Sequence, residues 1–291
     1  MSAYVISSEG GVLRVGGVGD FSVFSTFDCG QCFRFDPVES SEYKTEFSGV
    51  ARGKKIGFAQ NGPGEIYIIG AGENDFPIWE NYLALDVDYD ELNESIISGV
   101  PEGADREMMR RAVASSRGIR ILRQDRWEAL CSFIVSQNNN IPRIKKIISA
   151  MCEKYGEDIG GARDFPSAAS LAAAGEDELF ALRTGFRAKY IYAAAKAVSD
   201  DASLLEKIAS AKDYADAERL LVALKGVGPK VAACTLLFGF ERYDAFPVDV
   251  WIKKVLERRF SPKFDYHALG AAAGIAQQYL FYFERYLGGE A

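Results

Sequence analysis

The sequence predicts an α+β chain, with an antiparallel sheet and a helix or two in its first part and an all-α second part. Three observations predict it. Apolar residues come close to alternating through Phe21, Val23, Phe27, Cys29, Phe33 and Phe35, and the later runs EFSGVARGKKIGFAQ and EIYIIG are short and β-prone. From about Pro101 onward, apolar positions recur at helical spacing and Ala becomes frequent. No solenoid repeat or heptad pattern runs through that second part, which leaves a globular helical domain. The division is placed at residues 1–103 and 104–291.

In chain order, FSVFSTFDCGQCFRFD reads as a strand with a bulge at Gly30. Asn61-Gly62-Pro63-Gly64 separates two further strands as a loop. Phe76 to Asp90 looks helical, its aromatics packing under the sheet. Helices are then expected over 106–116, 126–137, 143–155, 168–174, 176–183, 188–198, 214–224, 230–240, 250–260 and 271–287, with Asp125 as an N-cap for the second of these.

A length of 291 residues suits one large or two medium domains. No apolar run reaches the roughly 20 residues that a membrane helix needs, and the first residues lack the basic and apolar regions of a secretory signal. A cytoplasmic, monomeric protein without membrane contact is expected. Net charge is −7, which at first sight argues against a polyanionic partner, but phosphate contacts depend on local patches. Basic residues do cluster, at Arg106–Arg111, Arg117–Arg126, Arg143–Lys146, Arg187–Lys189, Lys225–Lys230 and Lys253–Arg259, although solvated helix faces explain some of these equally well. Five cysteines, an odd number, suggest thiols. Cys29-Gly-Gln-Cys32 is a lone Cys-x-x-Cys, so no zinc site is expected.

The stretch richest in chemistry runs from Leu224 to Trp251. Leu224-Lys225-Gly226-Val227-Gly228-Pro229 forms a tight hairpin before a helix. Pro is tolerated in a first helical turn, and Gly226 and Gly228 permit positive φ and close backbone approach to an anion. Lys230 opens that helix, and Asp249 stands where an N-cap would begin the next. Alone, this is compatible with an ordinary helix–turn–helix corner bearing a solvated lysine. The other reading is a nucleophile and a carboxylate. A lysine amine in an apolar cleft can give up its proton, attack an anomeric carbon and leave an imine, from which a 3′ phosphate is lost by β-elimination. A nearby carboxylate stabilises the positive charge that builds on the sugar. Ser136-Gln137-Asn138-Asn139-Asn140-Ile141-Pro142-Arg143 is either a polar loop or a set of amides and an arginine suited to nucleic-acid bases. His267, the one histidine, is expected at the surface.

Together, "CGQCFRF", "YLALDVDYDEL", "IRILRQDRWEALCSFIVSQNNNIPRI", "GFRAKYI", "LKGVGPKVAACTLLF" and "AFPVDVW" resemble, in order and spacing, the 8-oxoguanine DNA glycosylase family of the helix-hairpin-helix superfamily. The resemblance implies a TBP-like sheet domain followed by a helical helix-hairpin-helix glycosylase domain. It implies excision of 8-oxoguanine opposite cytosine from duplex DNA and nicking of the strand, in base excision repair. By position, Lys230 is the implied Schiff-base nucleophile and Asp249 its partner. Gly30 offers its carbonyl to the N7–H that oxidation adds to guanine. Cys234 and Phe281 sandwich the extruded purine, and Gln277 bonds its Watson–Crick edge. Asn138 fills the vacated stack, Phe186 wedges the duplex, and Arg143 and Arg187 read the estranged cytosine. Gly226, Gly228 and Lys225 meet the phosphate backbone, and the backbone of Val222, Leu224 and Val227 holds a monovalent cation, K+ or Na+. No further cofactor is implied, and the absence of a cysteine after Cys234 excludes the iron–sulfur cluster of some relatives. Three positions depart from the family pattern: Phe186 for a common Tyr, Trp251 for a common His, and Lys225 for the usual Pro. A related glycosylase with another purine lesion in its pocket, or a DNA-bending module without chemistry, also fits the hairpin.

Overall fold

The computed structural model describes residues 4–288. Six strands, β1 (Val5–Glu9), β2 (Val12–Gly16), β3 (Phe35–Pro37), β4 (Thr45–Ala51), β5 (Lys54–Gln60) and β6 (Glu65–Ile69), form one sheet in the order β1-β2-β6-β5-β4-β3. Every pairing is antiparallel. Alternation places Leu13, Val15, Ile66, Ile68, Ile56 and Phe58 on one buried face. Two helices cover that face, α1 (Val23–Asp28) with Phe27 and α2 (Phe76–Tyr82) with Trp79 and Tyr82.

The helix α1 corrects the strand expected there. Ser22 is extended and its Oγ accepts from Ser25 N at 3.2 Å, so the backbone turns into a helix. Val23, Thr26 and Phe27 then point inward at i, i+3 and i+4, the helical spacing, of which Val23 and Phe27 alone also fit alternation. Gly30 lies in the turn that follows, at φ +80°, and not in a strand bulge.

The remaining helices are α3 (Tyr89–Gly99), α4 (Ala104–Ser116), α5 (Arg126–Val135), α6 (Ile141–Tyr155), α7 (Ala168–Leu179), α8 (Ala188–Asp200), α9 (Leu204–Ala209), α10 (Tyr214–Val222), α11 (Pro229–Gly239), α12 (Val250–Arg259) and α13 (Ala273–Tyr282). The helix expected over 76–90 stops at Tyr82, because Leu83, Ala84 and Leu85 bury themselves in a turn and Asp88 caps a new helix through Asp90 N and Glu91 N. Within α7, Gly175 sits at φ +79° and separates its two halves, as expected. The short α9 was not expected. Tyr89, Ile96 and Met108 already belong to the helical core while Leu85 belongs to the sheet core, so the two cores part nearer residue 85 than 103. No helix among the described residues is long and apolar enough to cross a membrane.

Two polar knots join the cores. Gln31 is fully buried; its Nε2 donates to Thr26 O and Arg120 O, and its Oε1 accepts from Leu122 N, each at 2.8 Å. Arg34 reaches Glu128 on α5 and Asp164, both at 3.3 Å. Burial pushes the Glu128 carboxyl up to about 7, against the pull of Arg34. The folded chain therefore holds a proton that the unfolded chain has lost, and this contribution to stability is complete at low pH and lost as pH rises through about 7. Thermal unfolding measured between about pH 5 and pH 8 is expected to show a falling midpoint, and Glu128→Gln to flatten the fall.

Candidate active site

The site is built around α11. Every residue of this helix from Val231 to Gly239 is buried, so only its N-terminal end reaches solvent. Gly228 caps it in an extended conformation, φ −94° and ψ 175°, and offers no side chain to the first helical N–H groups. Gly228 thus does not use positive φ; Gly226 does, at +86°. A Cβ on Gly226 would lie 2.1 Å from the Tyr190 ring, whereas one on Gly228 would meet nothing within 4 Å. One glycine packs the hairpin against α8, and the other leaves room at the helix start.

Lys230 projects from this end, half-buried. Its Nζ lies 3.4 Å from Ser136 Oγ and 5.6 Å from the Phe133 ring centre. Asp249 caps α12 as expected, its Oδ1 accepting from Trp251 N and Ile252 N at 2.9 Å each. Both caps draw on Oδ1. Lys230 and Asp249 line one cavity of about 670 Å³. Cys234 lines it one turn below Lys230, and burial pushes its thiol up while Lys230 pulls it down.

Gly30 and Phe281 form another side of the same cavity, with Gln277 beside them. A Cβ on Gly30 would stand 3.8 Å from Phe281 Cε1. Gln278 donates to Cys29 O at 3.0 Å, and Tyr286 OH bonds Asp28 O, so α13 and its continuation hold the Gly30 turn from behind. Gln277 is 5% exposed and its Oε1 has no hydrogen-bond partner among the described residues, an acceptor left to a ligand.

The three asparagines each have a distinct place. Asn139 Nδ2 bonds Val135 O at the end of α5, and Asn140 Oδ1 caps α6 through Arg143 N. Between these helices Asn138 sits at φ +45°, exposed and lining the cavity. Arg187, expected at a partner base, is only 2% exposed; its guanidinium bonds Gln137 O, Asn138 O and Thr184 O. In this conformation Arg187 supports the Asn138 turn, because the backbone carbonyls of that turn need a buried donor. Arg143 is exposed outside the cavity, touching Arg183 O at 3.4 Å, and Phe186 is 46% exposed at its edge. Lys225, Val222, Leu224 and Val227 lie on the hairpin outside the cavity lining.

The basic clusters divide. Arg106, Arg110, Arg117, Arg120, Arg123 and Arg126 each pair with a carboxylate, so this part of the expected basic surface is neutralised internally. Arg143, Lys189, Lys225, Lys230 and Lys254 have no ion-pair partner among the described residues. His267 is exposed, as expected. The five cysteines are buried thiols, and Cys29 and Cys32 point into different cores, which separates the Cys-x-x-Cys pair. Sequence reasoning missed Ser136, Gln278 and Arg285, all lining the cavity. The doubled Gln in the apolar run GIAQQYLF was the signal for Gln278.

Residues 17–130 match the family described as 8-oxoguanine DNA glycosylase, N-terminal domain, and residues 131–268 match the HhH-GPD superfamily of base excision DNA repair proteins. The solved 8-oxoguanine glycosylase/lyase of Clostridium acetobutylicum, in complex with DNA containing cytosine opposite 8-oxoG, superposes with a TM-score of 0.86 at 32% identity over 97% of each chain. The chain belongs to the 8-oxoguanine DNA glycosylase family. A second structure, described as MBOgg1 in complex with a low affinity DNA ligand, has a TM-score of 0.86 and 35% identity over 98% of this chain and 99% of that one. The N-glycosylase/DNA lyase of Saccharomyces cerevisiae is 37% identical over 51% of this chain and 44% of its own length. This chain spans less than two thirds of the curated relatives it matches.

Against the pattern of the 8-oxoguanine DNA glycosylase family, the three departures have structural accounts. Phe186 keeps an exposed ring, packed edge-on to Tyr190 at 6.1 Å and under the Arg187 guanidinium at 4.5 Å. Trp251 lines the cavity with Lys254 Nζ 4.6 Å from its ring centre. Lys225 is exposed at the hairpin tip, where its N–H and ammonium replace what Pro lacks.

Proposed function

We propose that this chain binds duplex DNA, takes an extruded 8-oxoguanine opposite cytosine into the 670 Å³ cavity, releases the base and nicks the strand. The observation that carries the reading is the convergence of Lys230 and Asp249, from two helix starts, on one cavity that also holds Gly30, Cys234, Gln277 and Phe281. Lys230 Nζ attacks C1′ as the bond to the base breaks, and the base leaves with the bonding electron pair and takes up a proton. The resulting amine opens the sugar to an imine. Loss of a C2′ proton then expels the 3′ phosphate. Asp249 stabilises the positive sugar in the transition state more than in the ground state.

Recognition divides among the other residues. The Gly30 carbonyl accepts the N7–H of the lesion, and ordinary guanine has an acceptor at that atom. Gln277 Oε1 accepts from the base's Watson–Crick edge. Cys234, kept as a thiol by burial, and Phe281 flank the purine. Phe186 and Asn138 enter the stack, and the exposed Arg143 donates to the acceptors of the unpaired cytosine.

Phosphate contacts come from the hairpin, where Gly228 leaves space and Lys225 supplies charge. The Leu224 carbonyl accepts from Val227 N at 3.0 Å and keeps a second lone pair, and no backbone hydrogen bond outside the helices ends on Val222 O or Val227 O among the described residues. These oxygens suit K+ or Na+, which when bound would bridge the hairpin to a phosphate.

Asp249→Asn tests the reading, because Asn caps a helix as well as Asp does but carries no charge. Base release in single turnover is expected to fall by roughly 10²-fold or more, with the melting temperature unchanged. Unimpaired release would overturn the role of Asp249.

A further inference from the structure

Arg285 lies in the wider turn Phe283–Leu287 that continues α13, and it lines the cavity. Its Nη1 and Phe281 Cε1 are equidistant, at 3.8 Å, from the point where a Cβ on Gly30 would stand. Two rings hold the guanidinium: its carbon lies 5.7 Å from the Phe281 ring centre and 5.2 Å from that of Tyr286. Tyr286 is itself tied to Asp28 O in the Gly30 turn. Arginine carries five N–H donors and no acceptor. At the boundary of the two cores, Arg34, Arg120 and Arg123 all donate to carboxylates. Arg285, half-buried, has neither an ion pair nor a hydrogen bond among the described residues. It is a fixed donor beside Gly30 with nothing to donate to.

8-Oxoguanine differs from guanine at two adjacent atoms, a hydrogen on N7 and an oxygen on C8. A carbonyl acceptor reads the first. A donor beside that carbonyl fits the second. We propose that Arg285 is a specificity-determining residue that donates to the C8 oxygen of the lesion, next to the N7–H held by Gly30. This rests on the reading of the cavity under Proposed function.

The test compares the full chain with Arg285→Leu and Arg285→Lys on three duplexes. One carries 8-oxoguanine, one 8-thioguanine, in which a weakly accepting sulfur replaces the C8 oxygen while N7 keeps its hydrogen, and one a pre-formed abasic site. Arg285→Leu is expected to slow single-turnover release of 8-oxoguanine by about tenfold or more. Release of 8-thioguanine and nicking of the abasic site stay within about twofold of the unaltered chain. Arg285→Lys recovers part of the loss, since it keeps a charged donor. Equal loss on the abasic duplex would place the donor on a phosphate and overturn the proposal. Equal loss on both bases would reduce Arg285 to a structural role, and no loss at all would leave it idle. If the unaltered chain releases no 8-oxoguanine, the reading beneath falls as well; if it does and Arg285→Leu matches it, only this inference falls.

Discussion

Replacing Lys230 with Gln is expected to abolish the protein–DNA adduct that borohydride traps on a lesion duplex and to cut strand nicking by roughly 10³-fold or more. Borohydride reduces an imine, and an imine needs an amine lone pair, which an amide nitrogen shares with its carbonyl. Gln can still hydrogen-bond Ser136, whose Oγ lies 3.4 Å from Lys230 Nζ. From Val231 to Gly239 α11 is buried and does not involve the Lys230 side chain, so the substitution leaves its packing intact. Duplex affinity and melting temperature should therefore stay near those of the unaltered chain. An adduct that persists in Lys230→Gln would assign the covalent step to another amine.

Gly226→Ala should be the most damaging single-atom change in the hairpin. It places a side chain at φ +86° and drives a Cβ to 2.1 Å from Tyr190 Cγ. The left-handed backbone costs about 1–2 kcal/mol, and the overpacking about 1–3 kcal/mol. Together about 2–5 kcal/mol corresponds to a fall in melting temperature of roughly 3–8 °C for a chain of this size. Removing the ring with Tyr190→Ala separates the two effects. In that background Gly226→Ala should lose only the backbone part. Equal losses in both backgrounds would mean that the ring contact contributes nothing. Gly228→Ala meets no atom and has an ordinary φ, so its cost should be far smaller.

Local chemistry made some of the site legible. A hairpin with Gly-x-Gly-Pro-Lys and a Pro-Val-Asp turn names its own helix starts, and the Asp249 cap follows from residue type and position alone. The sheet and most helices were legible through periodicity, which is a local property. Where periodicity misled, the reason was short range too: Val23 and Phe27 fit a strand and a helical turn equally, and the buried Thr26 and the Ser22 cap decide for the helix. The basic clusters misled for the opposite reason. Arg117 and Arg120 look like a phosphate patch until Asp20, far away in the chain, and Asp90 pair with them. The resemblance implies Arg187 at the estranged base by position alone, and in this structure the carbonyls of the Asn138 turn, distant in the chain, hold its guanidinium.

The sequence by itself determined the α+β architecture, the two helix starts that carry Lys230 and Asp249, and the family that their spacing resembles. These rest on contacts between residues a few positions apart, or on motifs whose order along the chain is their meaning. Only the tertiary structure decided that Gly30 and α13, at opposite ends of the chain, share a wall with Lys230, which arginines are neutralised, and that Arg285 is not. Burial and pairing depend on what other segments bring to a position, and no residue states its distant neighbours in its own local pattern.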